Sequence, residues 1–507
     1  MTFTLPLPSS TTLRLAAALC IAFPFLAGPT YGTITWSSGV NTVNADTTFQ
    51  DTEIVITGGT NTVQGIAGPP AGSFTAGMLR VSPGGSGLHI TGSGLTLNSD
   101  NATPGKLLVQ GNVSTLAAST TAFIASGGSA AHPGNVDLAS ATRIFNVASG
   151  SVPDAAPDLS ISAQIINGSL EKQGAGILAL SGANTYAGGT RLDAGTLYIN
   201  SSSALGTQEL TIAGSGVTID NTSGTAINLP SNALILSGGD LTFVGTSNLN
   251  FGAGSNVIAN VPTRTISVVN ATATLTIGGI ISDNGGHVSL NKSGAGTLSL
   301  TGNCLYTGDT IVSSGILLLS GSASGGVSVL ANGTLVENDG SISGDVLVSG
   351  FISGTGAIHG SLVVNNGGLA NFNTGMMTVD GSVTNNGTFI LRGGAQITTG
   401  SGFVNNGTLD LTTAGATPDN LTNNGTIITS AVVATKSAAK TGTTVTLTID
   451  SYTGHSYQLQ KSETSPDGSA FTINVGTPQQ GSTGNVLTFT DPGATAAKSF
   501  YRITVDS

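Results

Sequence analysis

The sequence predicts an all-β chain, a long solenoid followed by a small β-sandwich. Three observations predict it. The 507 residues include 74 Gly and only 8% charged residues, while hydrophobic residues reach 39% with aromatics at just 5%. That composition leaves Ala, Val, Leu and Ile to build the interior, and too few charges to coat amphipathic helices. A stretch beginning at Leu170 recurs without a gap at Leu290, 120 positions on. Asn-Asn-Gly recurs at 365–367, 385–387, 405–407 and 423–425, in steps of 20, 20 and 18 residues. Charge this low with so much aliphatic content excludes a disordered polyampholyte. Gly follows no three-residue period, which excludes collagen. The formal net charge of -11 offers no basic face to a nucleic acid, so no nucleic-acid partner is expected.

The first element is an export signal. Arg14 precedes the apolar run Leu15 to Phe23, and Thr30 and Gly32 put small residues at −3 and −1 of a cut after Gly32. A basic flank, a short apolar stretch and a small-residue exit define a secretory leader, here residues 1–32. The alternative is an uncleaved anchor, but the run is short for a span of roughly 20 residues. Leu19 before Cys20 is too large for a lipoprotein signal. With the leader gone, Cys304 stands alone and reads as a buried small apolar residue, since no His lies near it. No other long apolar run follows, so no transmembrane segment is expected in the mature chain.

Residues 33–160 contain strand-like pieces at 53–56, 87–90 and 107–109, with longer loops such as 67–71. They read as an irregular first part of the solenoid, capped near Trp36. The regular signal follows. In the copy at 170–197, Leu178 and Leu180 alternate with small or polar residues; in the copy at 290–317, Leu298 and Leu300 do the same. Period two is the signature of a half-buried strand. Gly174, Gly176 and Gly182, with their counterparts Gly294, Gly296 and Gly302, sit at strand ends, where glycine suits a corner. Tyr186 and Tyr306 fall in the loop after the strand, where each ring is expected to lie over a turn with its hydroxyl in water. Arg143 to Val147 is echoed by Arg264 to Val268 upstream of the second copy. One copy supplies two short strands and cannot bury its apolar face alone, so copies stack.

These copies resemble the passenger-associated transport repeat, also called the autotransporter-associated β-strand repeat. Its run of Lys, two Gly, alternating Leu, Gly, Asn, Tyr, Gly and Thr is matched by Lys172, Gly174, Gly176, Leu178, Leu180, Gly182, Asn184, Tyr186, Gly188 and Thr190. The second copy departs at Cys304 and Asp309, where the first has Asn184 and Gly189. The resemblance implies a right-handed parallel β-helix on an exported bacterial surface or secreted protein, and it carries no catalytic residues. Loosely it extends from about 33 to 430.

Further along, each Asn-Asn-Gly is followed by strand-like residues, such as Thr388 to Leu391 and Thr408 to Leu411. Asn-Gly is also a hairpin signal, but a constant step near 20 residues fits one full coil better than a meander. Stacked corners then bring the Asn side chains together as an amide ladder. Beyond about 430 the period stops. Strand candidates at 444–449, 457–460, 471–475, 486–490 and 500–505 are separated by Asp467-Gly468 and Pro492-Gly493 turns. Residues 433–507 therefore read as a separate β-sandwich, loosely similar to small immunoglobulin-like or fibronectin-like modules, with Leu459, Phe471, Ile473, Phe489, Tyr501 and Ile503 as its core.

Chemistry is sparse. Polysaccharide lyases and hydrolases built on β-helices need clustered carboxylates. The closest pairs are Asp51 with Glu53 and Glu337 with Asp339, each two residues apart. On a strand both members share a face, and with no basic partner beside them they read as solvated. Asp154 and Asp158 in a Pro-rich loop, and Gly238-Gly239-Asp240, read as turns rather than calcium loops. His89, His132, His287, His359 and His455 show no metal spacing. No catalytic, cofactor-binding or metal-binding residue is expected, and no cofactor. The expected function is a non-enzymatic, exported structural or adhesive protein in which a stiff helix holds the tail away from a surface. Its partners would be surface glycans or other surface proteins. The tail has too few strands for a membrane barrel, so a separate translocation machinery is expected. The alternative is a carbohydrate-active β-helix enzyme, a lyase or hydrolase, whose acids are gathered by stacking.

Overall fold

Runs of three to five β-branched and aliphatic residues, many of them followed within two residues by Gly or Asn, are too short to form a sheet alone. In the computed structural model they pair in parallel with the equivalent run one period away. The structure describes residues 12–14, 32–43, 47–49, 52–64, 78–81, 87–98, 104–127, 133–153, 156–259, 261–412, 417–428, 435–451, 456–463, 471–482, 486–494 and 499–506. Apart from Thr12–Arg14, which pairs with residues 33–35, and Gly32, the expected leader lies outside them. The chain forms two compact units, Met1–Val327 and Ser328–Ser507, so the division falls inside the span read as solenoid.

The first unit is a parallel β-helix. One sheet runs through Gly32–Trp36, Thr52–Ile56, Leu88–Ile90, Val113–Thr115, Thr142–Val147, Ser169–Gln173, Thr190–Leu192, Leu210–Ile212, Leu234–Leu236, Asn256–Ile258 and Ile281–Ser282. Its early rungs are widely spaced in sequence, with Ile54 beside Leu88, while Leu170 pairs with Thr190 and Thr190 with Leu210. A five-stranded sheet from Thr47–Phe49 to Gln164–Ile166 accompanies those early coils. Inside, like stacks on like. Leu159, Leu178, Leu197 and Ile219 form one column, and Leu249, Leu275, Leu298 and Leu317 another. Every one of these side chains is buried, as are Leu180 and Leu300, so the strand phase follows the alternation in the sequence.

The corners explain two of the glycines. Gly174 has φ 74° and Gly294 has φ 75°, in the left-handed region that disfavours a side chain. A Cβ at either would also collide with a backbone carbonyl of the coil before, that of Val147 or Val268.

In the second unit, Val346–Val348, Leu362–Val364, Val383–Asn385, Phe403–Asn405 and Leu421–Asn423 stack in parallel. The Asn-Asn-Gly steps from 385 to 405 and from 405 to 423 are each one coil, whereas the copy at 365–367 lies one residue out of register, with Val364 beside Asn385. Phe372, Phe389 and Phe403 fill the interior with ring centroids 5.4 and 5.0 Å apart. The tail changes style to two three-stranded antiparallel sheets. Thr435–Thr441, Thr444–Asp450 and Val486–Asp491 make one, and Ile473–Gln480, Ser456–Ser462 and Phe500–Asp506 the other. Ile449, Tyr457, Leu459 and Phe489 form its core, flanked by Tyr501 and Ile503. Two expected core residues sit elsewhere. Ile473 begins an edge strand and is 42% exposed, and Phe471 is half-buried under the Arg502 guanidinium, 4.8 Å from its ring centroid.

Candidate functional site

The most elaborate side-chain arrangement occurs twice, once in each copy of the repeat. Lys172 lies on Ser169–Gln173 and Lys292 on Ser289–Ser293, at inward positions where the neighbouring coils hold Phe145 and Leu192, and Ile266 and Val312. Neither has any solvent exposure. The Lys172 ammonium donates to the carbonyls of Gln173, Gly174 and Ala194 at 2.8, 2.7 and 3.0 Å. The Lys292 ammonium donates to those of Ser293, Gly294 and Ser314 at 2.7, 2.9 and 3.0 Å. Two acceptors come from the lysine's own corner and the third from the next coil. Burial pushes each lysine down to about 8, because a desolvated ammonium is disfavoured even with carbonyl acceptors.

A second clip lies upstream. The guanidinium of Arg143 reaches the carbonyl of Leu138, five residues back, and that of Gln110 in the preceding coil, at 3.0 and 2.6 Å. Arg264 does the same with Ala259, five residues back, and Ser237, at 2.9 and 2.8 Å. The echo between the two segments is therefore functional within the fold. Arginine and lysine clips were both visible as identical residues at equivalent places, but composition assigns no role to a cation among aliphatics.

The tyrosines depart from expectation. Tyr186 and Tyr306 are fully buried, and each hydroxyl bonds the Oγ1 of Thr190 or Thr310 at 2.5 Å. The ring points into the coil rather than over it, because the threonine four residues on supplies an internal partner. Burial raises both phenols well above their ordinary value. Asn184 spans neighbouring coils, accepting from the Ile165 amide at 2.8 Å and donating to the Ala204 carbonyl at 2.7 Å. Cys304 takes that place in the second copy. It is buried, with its thiol pushed up to about 12 by desolvation.

The Asn corner forms two ladders. On the inner one Asn385 donates to Asn405 at 2.7 Å and Asn405 to Asn423 at 2.6 Å. On the outer one Asn424 donates to Asn406 and Asn406 to Asn386, both at 2.9 Å. The two run in opposite directions.

The remaining candidates are scattered. Glu337 and Asp339 do not share a face. The ladder shifts register between Asn338 and Gly340, and Asp339 has φ 57°. This bulge leaves Asp339 exposed, while Glu337 before it keeps the inward phase of Leu335, so the reading of both as solvated fails for Glu337, which is 1% exposed. Asp51 and Asp154 lie outside the described residues, as does the side chain of Glu53. Asp158 accepts from the amides of Gly150 and Ile177 at 2.7 and 2.8 Å, and Asp240 from that of Thr265 at 2.9 Å. His132 and His455 lie outside the described residues. His359 pairs with Asp380 at 2.7 Å on the surface, and His89 bonds Ser114, its in-register neighbour on the next coil. A depression of about 630 Å³ is lined by Ala259, Pro262, Asp283 and His287 among others. The Asp283 carboxylate there is already engaged by Thr307, Gly285 and Val288, which hold it below the usual carboxylate range. Among the described residues no group of three His, Cys, Asp or Glu is placed to hold a metal ion, and no helix is long and apolar enough to cross a membrane.

The passenger-associated-transport-repeat family matches at 170–199 and 290–319, the spans that hold the lysine cages and the Tyr–Thr bonds. The chain carries two passenger-associated transport repeats. Over 228 residues, 43% of this chain, it is 33% identical to the Adhesin BmaC autotransporter of Brucella suis biovar 1 (strain 1330), covering 6% of that protein. Over 53 residues, 10% of this chain, it is 49% identical to an Extracellular serine protease of Serratia marcescens, covering 5% of that protein. The chain thus spans a small fraction of the length of these relatives. The transport repeats and these likenesses mark an exported protein of the cell surface or secreted fraction.

Proposed function

We propose that the protein is non-enzymatic and serves as a structural or adhesive element outside the cell. The observation that carries the proposal is how the transport repeats use their polar side chains. Lys172, Lys292, Tyr186 and Tyr306 of the repeats, with Arg143 and Arg264 just upstream, bind backbone or interior partners, and the four cations each tie one coil to a neighbouring one. Such a design invests in stiffness. Likeness to an adhesin over 43% of the chain supports an adhesive role, with surface glycans or other surface proteins as partners.

The test uses the full chain. It is incubated with plant and bacterial polysaccharides while new reducing ends are measured, and in parallel its retention on immobilised glycans and surface-protein extracts is followed. Retention without new ends is the expected result. Reproducible cleavage that disappears on replacing one Asp would overturn the reading and promote the carbohydrate-active alternative.

A further inference from the structure

Glu337 departs from the pattern of polar groups tied to backbone. It lies on Val327–Ile342 at an inward position, two residues after buried Leu335. Both carboxyl oxygens are buried and neither has a hydrogen-bond partner. The coil leaves room for it by omitting side chains. Its carboxyl lies beside Gly356, where a Cβ would meet both Glu337 Oε2 and the carbonyl of Gly340, and a Cβ at Gly354 would collide with the Glu337 carbonyl. The strand paired with it in the same unit, Phe351–Ile358, contains no ionisable residue. On its own strand, the other ionisable residue is Asp339, which is exposed and accepts from the Thr355 hydroxyl at 2.7 Å. Burial alone acts on the group, without a neighbouring charge, and pushes it up to about 8.

We propose that Glu337 is a proton-held latch: protonated, it lets its coil close over it, and ionisation releases the coil locally between the bulge at Asn338 and the strand Phe351–Ile358. A neutral carboxyl is tolerable in this setting, whereas a carboxylate without donors is not. When the coil opens, the group meets water and returns to the ordinary carboxylate range. Between that range and about 8 the open form gives up its proton and the closed form keeps it. The closed coil is therefore firmest in acid and loosens as the pH rises, until the closed form also ionises and the dependence levels off. The latch tightens in an acidic environment outside the cell and slackens in an alkaline one.

The test is amide hydrogen exchange on the full chain, read at Phe351–Ile358 and corrected for the intrinsic rate. Opening should rise roughly fifty-fold from about pH 6 to about pH 8 by linkage. In Glu337→Gln it should stay flat over the same range, with Val383–Asn385 as an internal reference in both proteins. Equal pH dependence in the two proteins would overturn the proposal. Infrared spectroscopy supplies the second readout. A protonated-acid carbonyl band at neutral pH that disappears in Glu337→Gln or Glu337→Met is expected. No loss of that band in whichever variant folds would overturn the latch as well.

Discussion

Lys172 and Lys292 set a positive charge against backbone oxygens rather than a carboxylate, in a position neighbouring coils give to an apolar side chain. The arrangement works because a helix corner gathers carbonyls that the strand ladder leaves over, and an ammonium brings three donors. Lys292→Met should keep the volume and strand those carbonyls, lowering stability by about 1–3 kcal/mol in denaturant unfolding. The sign of the pH effect follows from a lysine pushed down to about 8. Between there and the ordinary lysine value the unfolded chain keeps its proton while the folded chain releases it, so wild-type stability climbs with pH across that window. Lys292→Met should lose its own share of the climb while Lys172 keeps the other, and an unchanged profile would show that Lys292 does not titrate in its cage. At this scale the sequence was only partly legible. Leu178 and Leu300 announced their burial by alternation. Tyr186 and Glu337 did not, since the first depends on a threonine four residues ahead and the second is a carboxyl in phase with Leu335, where the alternation calls for an apolar side chain.

At the scale of the strand, Leu300 is sandwiched in the column Phe251, Ile277, Leu300, Leu319. Replacing it by Ala should cost about 2–5 kcal/mol through lost burial and a residual cavity. A loss under about 0.5 kcal/mol would place that side chain outside the core. Asn405 gives a sharper contrast. It is fully buried, accepts from Asn385, and donates to Asn423 and to the Thr426 carbonyl. Asn405→Ala should cost about 1–3 kcal/mol by orphaning these partners. Asn405→Asp keeps the shape but replaces the donor with a carboxylate, so at neutral pH it should destabilise more than Ala, and it should recover below about pH 4 as the acid protonates. Thermal unfolding of the two variants across pH checks the ordering. The Asn corner was predictable from Asn385 on because there the period of Asn-Asn-Gly equals one coil, while the copy at 365–367 slips by one residue. Ile473 was misplaced because alternation gives the face of a residue but not whether another sheet reaches it at the strand's end.

For the molecule as a whole, the export leader and the tail carry the remaining predictions. N-terminal sequencing of exported material should start near Thr33; a start at Met1 or a lipidated Cys20 would contradict the leader. Residues 433–507 expressed alone should unfold cooperatively with a β-type signal, though marginally, since small domains bury a lower fraction of their surface. A non-cooperative tail would mean that it depends on the coils before it. The core of Ile449, Tyr457, Leu459 and Phe489 draws on both sheets, as an independent sandwich requires. Its inter-sheet ion pair, Lys461 with Asp491 at 3.4 Å, was invisible in the sequence because the partners lie on different sheets.

The opposed directions of the two Asn ladders bear on how such a protein changes length. Amides that all donate one way along a stack add their dipoles, and charge of opposite sign accumulates at the two ends as it does in an α-helix. Here the inner row donates toward later coils and the outer row toward earlier ones, so the two contributions oppose each other at every rung. Inserting or deleting one coil of about 20 residues then leaves the ends electrostatically as they were. Tandem duplication of a single Asn-Asn-Gly unit is the natural growth step for this segment, with each new turn equivalent to the last.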